Sequence, residues 1–110
     1  MAMTEVEFFD SIEEAWERIE QARKAADGRV APWQAAAKPG DCFVYFADDL
    51  VIYGEVLECY DEPRLRHYRF SRCYSAACPE GELGDVHVSV ILRFISRQEF
   101  EEARQRGWVP

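Results

Sequence analysis

The chain of 110 residues is 48% hydrophobic and 14% aromatic, which suits one domain with one core and excludes a disordered or multidomain protein. Its 21 acidic and 13 basic residues give a net charge of −8, which opposes binding to nucleic acid and anionic membranes and favours a basic protein partner. The sequence has no run of the roughly 18 apolar residues that a membrane span requires and no secretory signal pattern, so a cytoplasmic protein with reduced cysteines is expected.

The first predicted element is an amphipathic helix over residues 12–26. Ser11 and Glu14 have the spacing of a capping box, in which two side chains satisfy free backbone N–H groups at a helix start. A rival start at Thr4–Glu7 is disfavoured because Ser11 suits a cap better than a helix interior. Apolar residues recur at steps of three and four, which predicts an apolar face on the core opposite an exposed charged face. The apolar positions are Ile12, Trp16, Ile19, Ala22 and Ala26.

Beyond a connector with an optional helical turn at Pro32, the sequence predicts four strands. Residues 42–47 and 50–58 are rich in β-formers and form a hairpin across two aspartates, with a bulge or bend at Gly54. Residues 65–75 and 86–95 alternate with period two, and a loop over residues 76–85 separates them. A second capping box, Ser96 to Glu99, predicts a final helix over residues 97–106.

This order of elements predicts a single α+β domain over residues 1–110. The connections between strands are short, which favours an antiparallel meander because parallel neighbours require crossover segments. The meander is expected to bend strongly or to close into a small SH3-like barrel, flanked by the N-terminal and the C-terminal helix.

Residues 38–58 resemble a known class of small barrels. Residues 38–43 read Lys-Pro-Gly-Asp-Cys-Phe, and residues 52–56 read Ile-Tyr-Gly-Glu-Val. These two segments are similar to the opening hairpin of SH3-like barrels, including one family of immunity proteins from bacterial polymorphic-toxin systems. That family carries a Gly-Asp-x-Phe entry and an aromatic-Gly-x-Val exit. The resemblance implies a bacterial barrel protein that binds another protein.

The acidic face of the first helix is the leading candidate for partner binding. Glu13, Glu17 and Glu20 lie at helical spacing and are expected to form an exposed docking surface for a basic partner. The alternative is that these carboxylates are simply solvated.

The arginines of the third predicted strand form a second candidate site. Period two places Arg66, Tyr68, Arg72 and Tyr74 on one side, where they are suited to bind phosphate, a carboxylate or a stacked base. Arginines on an edge strand also prevent pairing with other sheets, which is the alternative explanation.

Cys73, Cys78 and His87 form a third set, because thiolate and imidazole are ligands that zinc prefers. The same residues contain the thiol and the base that a cysteine nucleophile needs. The spacing lacks two close ligand pairs and no third orienting group is evident, so neither a metal nor another cofactor is expected. The acidic pairs at residues 48–49 and 80–82 lie in predicted turns and are interpreted as solvated.

The sequence thus favours a small acidic interaction module, an immunity or regulatory protein without catalytic activity. One alternative is an RNA- or nucleotide-binding barrel that uses the arginine and tyrosine strand. The other is a thiol or zinc-dependent enzyme.

Overall fold

The computed structural model describes residues 11–110, which form an α+β fold. The helices are α1 (Ile12–Asp27), α2 (Pro32–Ala35) and α3 (Arg97–Gln105), and the strands are β1 (Cys42–Ala47), β2 (Leu50–Cys59), β3 (Tyr68–Ser75), β4 (Cys78–His87) and β5 (Arg93–Ile95). Within residues 11–110, none of the helices combines the length and the apolar character needed to cross a membrane.

Both predicted helix caps are confirmed. The Glu14 N–H donates to Ser11 Oγ at 3.1 Å, and the Glu99 N–H donates to Ser96 Oγ at 3.0 Å. Each bond satisfies one of the backbone donors that the first turn of a helix leaves free. The rival start at Thr4–Glu7 lies outside the described residues.

Within residues 11–110, the strands form one open antiparallel sheet of five strands in the order β4-β3-β2-β1-β5. The predicted hairpin between β1 and β2 is confirmed, and its two turn residues Asp48 and Asp49 have φ values of 51° and 63°. The third strand begins at Tyr68, three residues later than predicted. Because β4 and β5 are the two edges of this sheet, the predicted closure into a barrel is not confirmed.

The prediction of a strand over residues 86–95 is wrong. The segment predicted as a loop is the edge strand β4, and it is followed by a 3-10 turn at Val88–Val90 and by the short strand β5. His87 already pairs with Tyr68, the first residue of β3, so β3 has no residues left to pair with Val88 and those beyond it. The chain therefore leaves the β3 edge and reaches β1, where Arg93 pairs with Val44.

Gly54 has a different role from the predicted bulge. The register irregularity in β2 lies between Val56 and Glu58, two residues farther along the strand. A Cβ atom at Gly54 would lie 2.3 Å from Cζ of Phe43, which is its partner on β1. Glycine is therefore required because the Phe43 ring covers the backbone of β2 at this point.

The sheet has a hydrophobic cluster on each face, because successive residues of β1 point to opposite sides. On one face, Phe100 of α3 and Trp108 are buried against Tyr53 and Tyr74 of the sheet. The Trp108 ring stacks on Tyr74 with 4.5 Å between ring centroids. This face therefore carries an aromatic core that α3 and the C-terminal residues cover.

On the other face, two polar side chains attach neighbouring segments to the sheet through hydrogen bonds. The Gln34 side chain donates to the carbonyl oxygens of Ser89 and Ile91 at 3.1 and 3.0 Å, which ties α2 to the segment after β4. The buried guanidinium of Arg69 donates to four carbonyl oxygens, those of Ala35, Ala37, Arg66 and Tyr68. These bonds hold the connector after α1 and the turn before β3 against the sheet.

Candidate functional site

The apolar face of α1 is not packed on the core, so this part of the sequence prediction is wrong. None of the 16 residues from Ile12 to Asp27 is buried. Ile12, Trp16 and Ile19 are 77%, 54% and 43% exposed. The physical reason lies in the sheet, because α3 covers one of its faces and the segments around α2 and Val88 cover the other.

The acidic residues of α1 lie beside this apolar face rather than opposite to it. An α-helix turns by about 100° per residue, so each of Glu13, Glu17 and Glu20 lies about 100° from the apolar residue that precedes it. All three glutamates are exposed, and within residues 11–110 none of them forms an ion pair. We call these three glutamates together with Ile12, Trp16 and Ile19 the α1 surface. It combines an apolar row and an unpaired acidic row on adjacent sides of one helix.

The last turn of α1 is joined to the sheet through Asp27. Its Oδ1 atom lies 2.8 Å from Nε2 of His87, whose side chain is 9% exposed, and its Oδ2 atom lies 3.8 Å from Arg66. The sequence signals marked Asp27 only as the end of a helix, because its partner lies 60 residues away. The anchor fixes the C-terminal end of α1 and leaves the α1 surface accessible.

Asp27, His87 and Ser89 have the composition of a hydrolytic triad, but their geometry is structural. Nδ1 of His87 accepts from the Ser89 backbone N–H at 3.3 Å and lies 2.8 Å from Ser89 Oγ, so two groups of Ser89 share one ring nitrogen. This arrangement caps the 3-10 turn. Neither of the two clefts described below contains His87 or Ser89. We therefore assign these residues to the attachment of α1.

The structure does not bring the predicted arginine and tyrosine set together. Tyr74 is 7% exposed and belongs to the aromatic core, so it is unavailable for stacking on a ligand. Arg66 precedes β3, and Tyr68 lies edge-on against His87 at 4.9 Å between ring centroids. Tyr68 and Arg72 are four residues apart on β3, which corresponds to about 13 Å. The alternation was interpreted correctly as a strand, but it does not make these side chains a single site.

The cysteine and histidine set is also separated by the strand register. Cys78 pairs with Ser75 and His87 pairs with Tyr68, so the two residues lie at opposite ends of the β3–β4 hairpin. Their partners are seven residues apart on β3, which corresponds to roughly 23 Å at the rise of a β-strand. Burial raises the pKa of the Cys73 thiol, which makes it a poor nucleophile. Within the described part of the chain, no group of three or more His, Cys, Asp or Glu side chains is arranged to hold a metal ion.

The surface formed by residues 11–110 includes a larger and a smaller cleft. The larger has a volume of about 460 Å³ beside Trp33 and Phe94, and its charged side chains have partners, with Lys38 on Asp41 at 3.1 Å and Arg97 on Glu55 at 2.6 Å. The smaller has a volume of about 280 Å³ and lies between α1 and the turn before β3. Its lining residues are Glu20, Arg23, Lys24, Asp27, Pro63, Arg64 and Arg66. Sequence reasoning placed Arg66 in the third predicted strand and did not connect it with α1.

The chain was compared with models of protein families, with curated proteins and with solved structures, and none of them matches it. The candidate sites therefore depend on geometry and charge alone.

Proposed function

We propose that this protein is an acidic interaction module that inserts α1 into an apolar groove with a basic rim on another protein. The observation that carries the proposal is the exposure of Ile12, Trp16 and Ile19 next to three exposed glutamates of the same helix. The resemblance of residues 38–58 to immunity proteins supports an immunity or regulatory role in the cytoplasm. The proposed function needs no chemistry by this chain.

The apolar row has the spacing that helices use in grooves. Ile12, Trp16 and Ile19 occupy positions i, i+4 and i+7, which is the usual set of anchors when an amphipathic helix binds in a hydrophobic groove. Complete burial of a side chain of this size contributes roughly 1.5–3 kcal/mol. Trp16 and Ile19 are about half exposed, so their burial in a groove would contribute about half of that free energy each. The apolar row therefore supplies part of a binding energy, and the neighbouring charges select the partner.

The charge of the chain argues for a different protein rather than for a second copy. Each copy carries a net charge of −8, and pairing of two α1 surfaces would bring two acidic rows close together. Lysine and arginine side chains around the groove would instead complement Glu13, Glu17 and Glu20. Such complementarity acts mainly on the rate of association and on the choice of partner.

The test begins with isolation of a partner on the immobilised protein. Capture alone does not support the proposal, so the rates of association and dissociation are then measured with the purified partner. We expect Trp16→Ala to weaken binding by about tenfold or more, chiefly through faster dissociation. We expect the triple variant E13Q/E17Q/E20Q to slow association by about tenfold at low salt, and this effect should diminish as salt is added. Both variants should retain the circular dichroism spectrum of the wild type, because the substituted residues are exposed.

A matched control removes the same number of negative charges elsewhere. Asp61, Glu62 and Glu80 are exposed and lie outside α1, so D61N/E62Q/E80Q changes the net charge equally and leaves the α1 surface intact. The proposal is rejected if this control slows association as much as the α1 triple variant. It is also rejected if binding does not respond to Trp16→Ala.

A further inference from the structure

We propose that the smaller cleft is a binding site for a phosphomonoester, and we call it the basic cleft. Its cationic side chains are Arg23 and Lys24 from the last two turns of α1 and Arg64 and Arg66 from the turn before β3. This site is separate from the α1 surface except for Glu20, which belongs to both.

The basic cleft is positively charged, although the protein as a whole is acidic. Four cations and two carboxylates line it, whereas the whole chain has 13 basic and 21 acidic residues. Within residues 11–110, Arg23, Lys24 and Arg64 form no ion pair. Asp27 is engaged by His87 at 2.8 Å and reaches Arg66 only at 3.8 Å. Most of the positive charge in the basic cleft is therefore available to an anion.

The helix dipole alone does not explain this cluster. A lysine in the last turn of a helix is favoured by the partial negative charge at that end, which accounts for Lys24. Arg64 and Arg66 belong to another element and face the same cleft across a gap. The convergence of cations from two separate elements is the observation that points to a ligand.

Hydrogen bonds hold one wall of the basic cleft, the turn before β3, before any ligand arrives. In the turn before β3, the Leu65 N–H donates to the Glu62 carbonyl and the Tyr68 N–H donates to the Leu65 carbonyl, each at 2.9 Å. The buried Arg69 holds the same turn from beneath through the Arg66 carbonyl at 2.6 Å. The opposite wall, α1, is attached through Asp27. A prearranged site loses less conformational entropy on binding than a flexible one.

The chemistry and the size of the basic cleft select the ligand. Guanidinium groups bind two oxygens of a phosphate at once, and lysine adds a point charge. A volume of about 280 Å³ accommodates a phosphate with a small attached group. An extended nucleic acid backbone requires a continuous positive surface, which a chain with a net charge of −8 does not provide. The ligand class is therefore a phosphate ester carried by a small molecule or by a phosphorylated side chain.

The test is a titration of the ¹⁵N-labelled protein, followed by nuclear magnetic resonance at constant ionic strength in chloride. The probes are inorganic phosphate, phenyl phosphate, a phosphoserine peptide with its unphosphorylated form, and acetate. We expect saturable shifts of the amides of residues 64–66 with phosphate-bearing probes. We expect R23Q/R64Q to weaken this binding by about tenfold. The control R93Q/R106Q removes two exposed arginines outside the basic cleft and should change binding by less than about twofold.

Tighter binding of phenyl phosphate supports a small-molecule ligand, and tighter binding of the phosphoserine peptide supports a modified protein. The proposal is overturned if no phosphate-bearing probe gives a saturable shift. It is equally overturned if acetate or the unphosphorylated peptide binds as tightly, or if the control variant loses as much affinity as R23Q/R64Q. The dispersed spectrum of each variant establishes that it is folded before titration.

Discussion

Replacement of Arg69 should be among the most destabilising single changes in this protein. Its side chain is 7% exposed and makes its hydrogen bonds to backbone carbonyls, with donor–acceptor distances of 2.6–2.9 Å. Through the carbonyls of Ala35 and Ala37 it holds the connector after α1, at and just beyond the end of α2, and through that of Arg66 it holds the turn of the basic cleft. Arg69→Met keeps most of the apolar volume and removes every donor.

The size of the effect follows from the surroundings of the four carbonyl groups. A buried acceptor that loses its donor costs about 1–3 kcal/mol. Only the bond from Nε to the Ala37 carbonyl is fully buried, and the other three are partly buried, so water replaces part of the loss there. Removal of a buried charge also returns some desolvation energy. We therefore expect Arg69→Met to lower the free energy of unfolding by about 3 kcal/mol.

The assay is urea denaturation of the wild type, Arg69→Met and Arg69→Lys. With a denaturant slope of about 2 kcal/mol/M, a loss of 3 kcal/mol lowers the urea midpoint by about 1.5 M. Arg69→Lys should recover only part of the loss, because one ammonium group cannot span carbonyls on both sides of a guanidinium. A loss below about 1 kcal/mol for Arg69→Met, or full stability for Arg69→Lys, would refute the reasoning.

Three further predictions concern the hairpin, the sheet and pH. Asp49→Gly should raise the melting temperature by a few degrees in a thermal scan, because glycine adopts the positive φ of 63° without strain and contributes about 0.5–1 kcal/mol. Gly54→Ala should cost about 1–3 kcal/mol in urea denaturation, and Phe43→Leu in the same chain should recover part of it, because the new methyl group meets the Phe43 ring. Burial lowers the pKa of His67, so the unfolded chain takes up a proton first as pH falls below about 6.5. Stability should therefore decrease from pH 7.5 to pH 5.5, and it should decrease less in a His67→Gln variant.

Each of these predictions has an outcome that contradicts it. An unchanged or lower melting temperature for Asp49→Gly would mean that the turn does not carry the strain inferred from φ. Additive losses in the Gly54 and Phe43 pair would mean that the two residues do not compete for space. Equal pH dependence with and without His67 would show that its burial does not contribute to stability.

The elements with local signals could be predicted from the sequence. Ser11 and Ser96 each cap a helix through a backbone N–H three residues away, and the hairpin at residues 48–49 joins two neighbouring strands. These interactions involve residues that are close in sequence, so the pattern of residue types contains most of the necessary information. The same holds for the α+β class and for antiparallel pairing, which follow from the order of elements and the short connections.

Tertiary structure decided which predicted faces are buried and which residues meet. The alternation of residues 86–95 predicted a strand, but it contains no information about the length of the neighbouring strand. Because β3 begins at Tyr68 and Tyr68 pairs with His87, the residues after His87 form a 3-10 turn and a short strand instead. Information about distant segments was also missing for Arg69, whose partners at Ala35 and Ala37 lie more than 30 residues away.

The candidate sites show the same division between sequence and tertiary structure. The sequence by itself determined that α1 has an apolar row and an acidic row, because helical spacing fixes the order of side chains around one helix. Only the complete fold decided that the apolar row stays exposed, since other segments already occupy both faces of the sheet. The basic cleft likewise required the fold, because Arg23 and Arg64 line it together although they are 41 positions apart in the sequence. Their positions on opposite walls depend on the attachment of α1 to the sheet, where Asp27 meets His87.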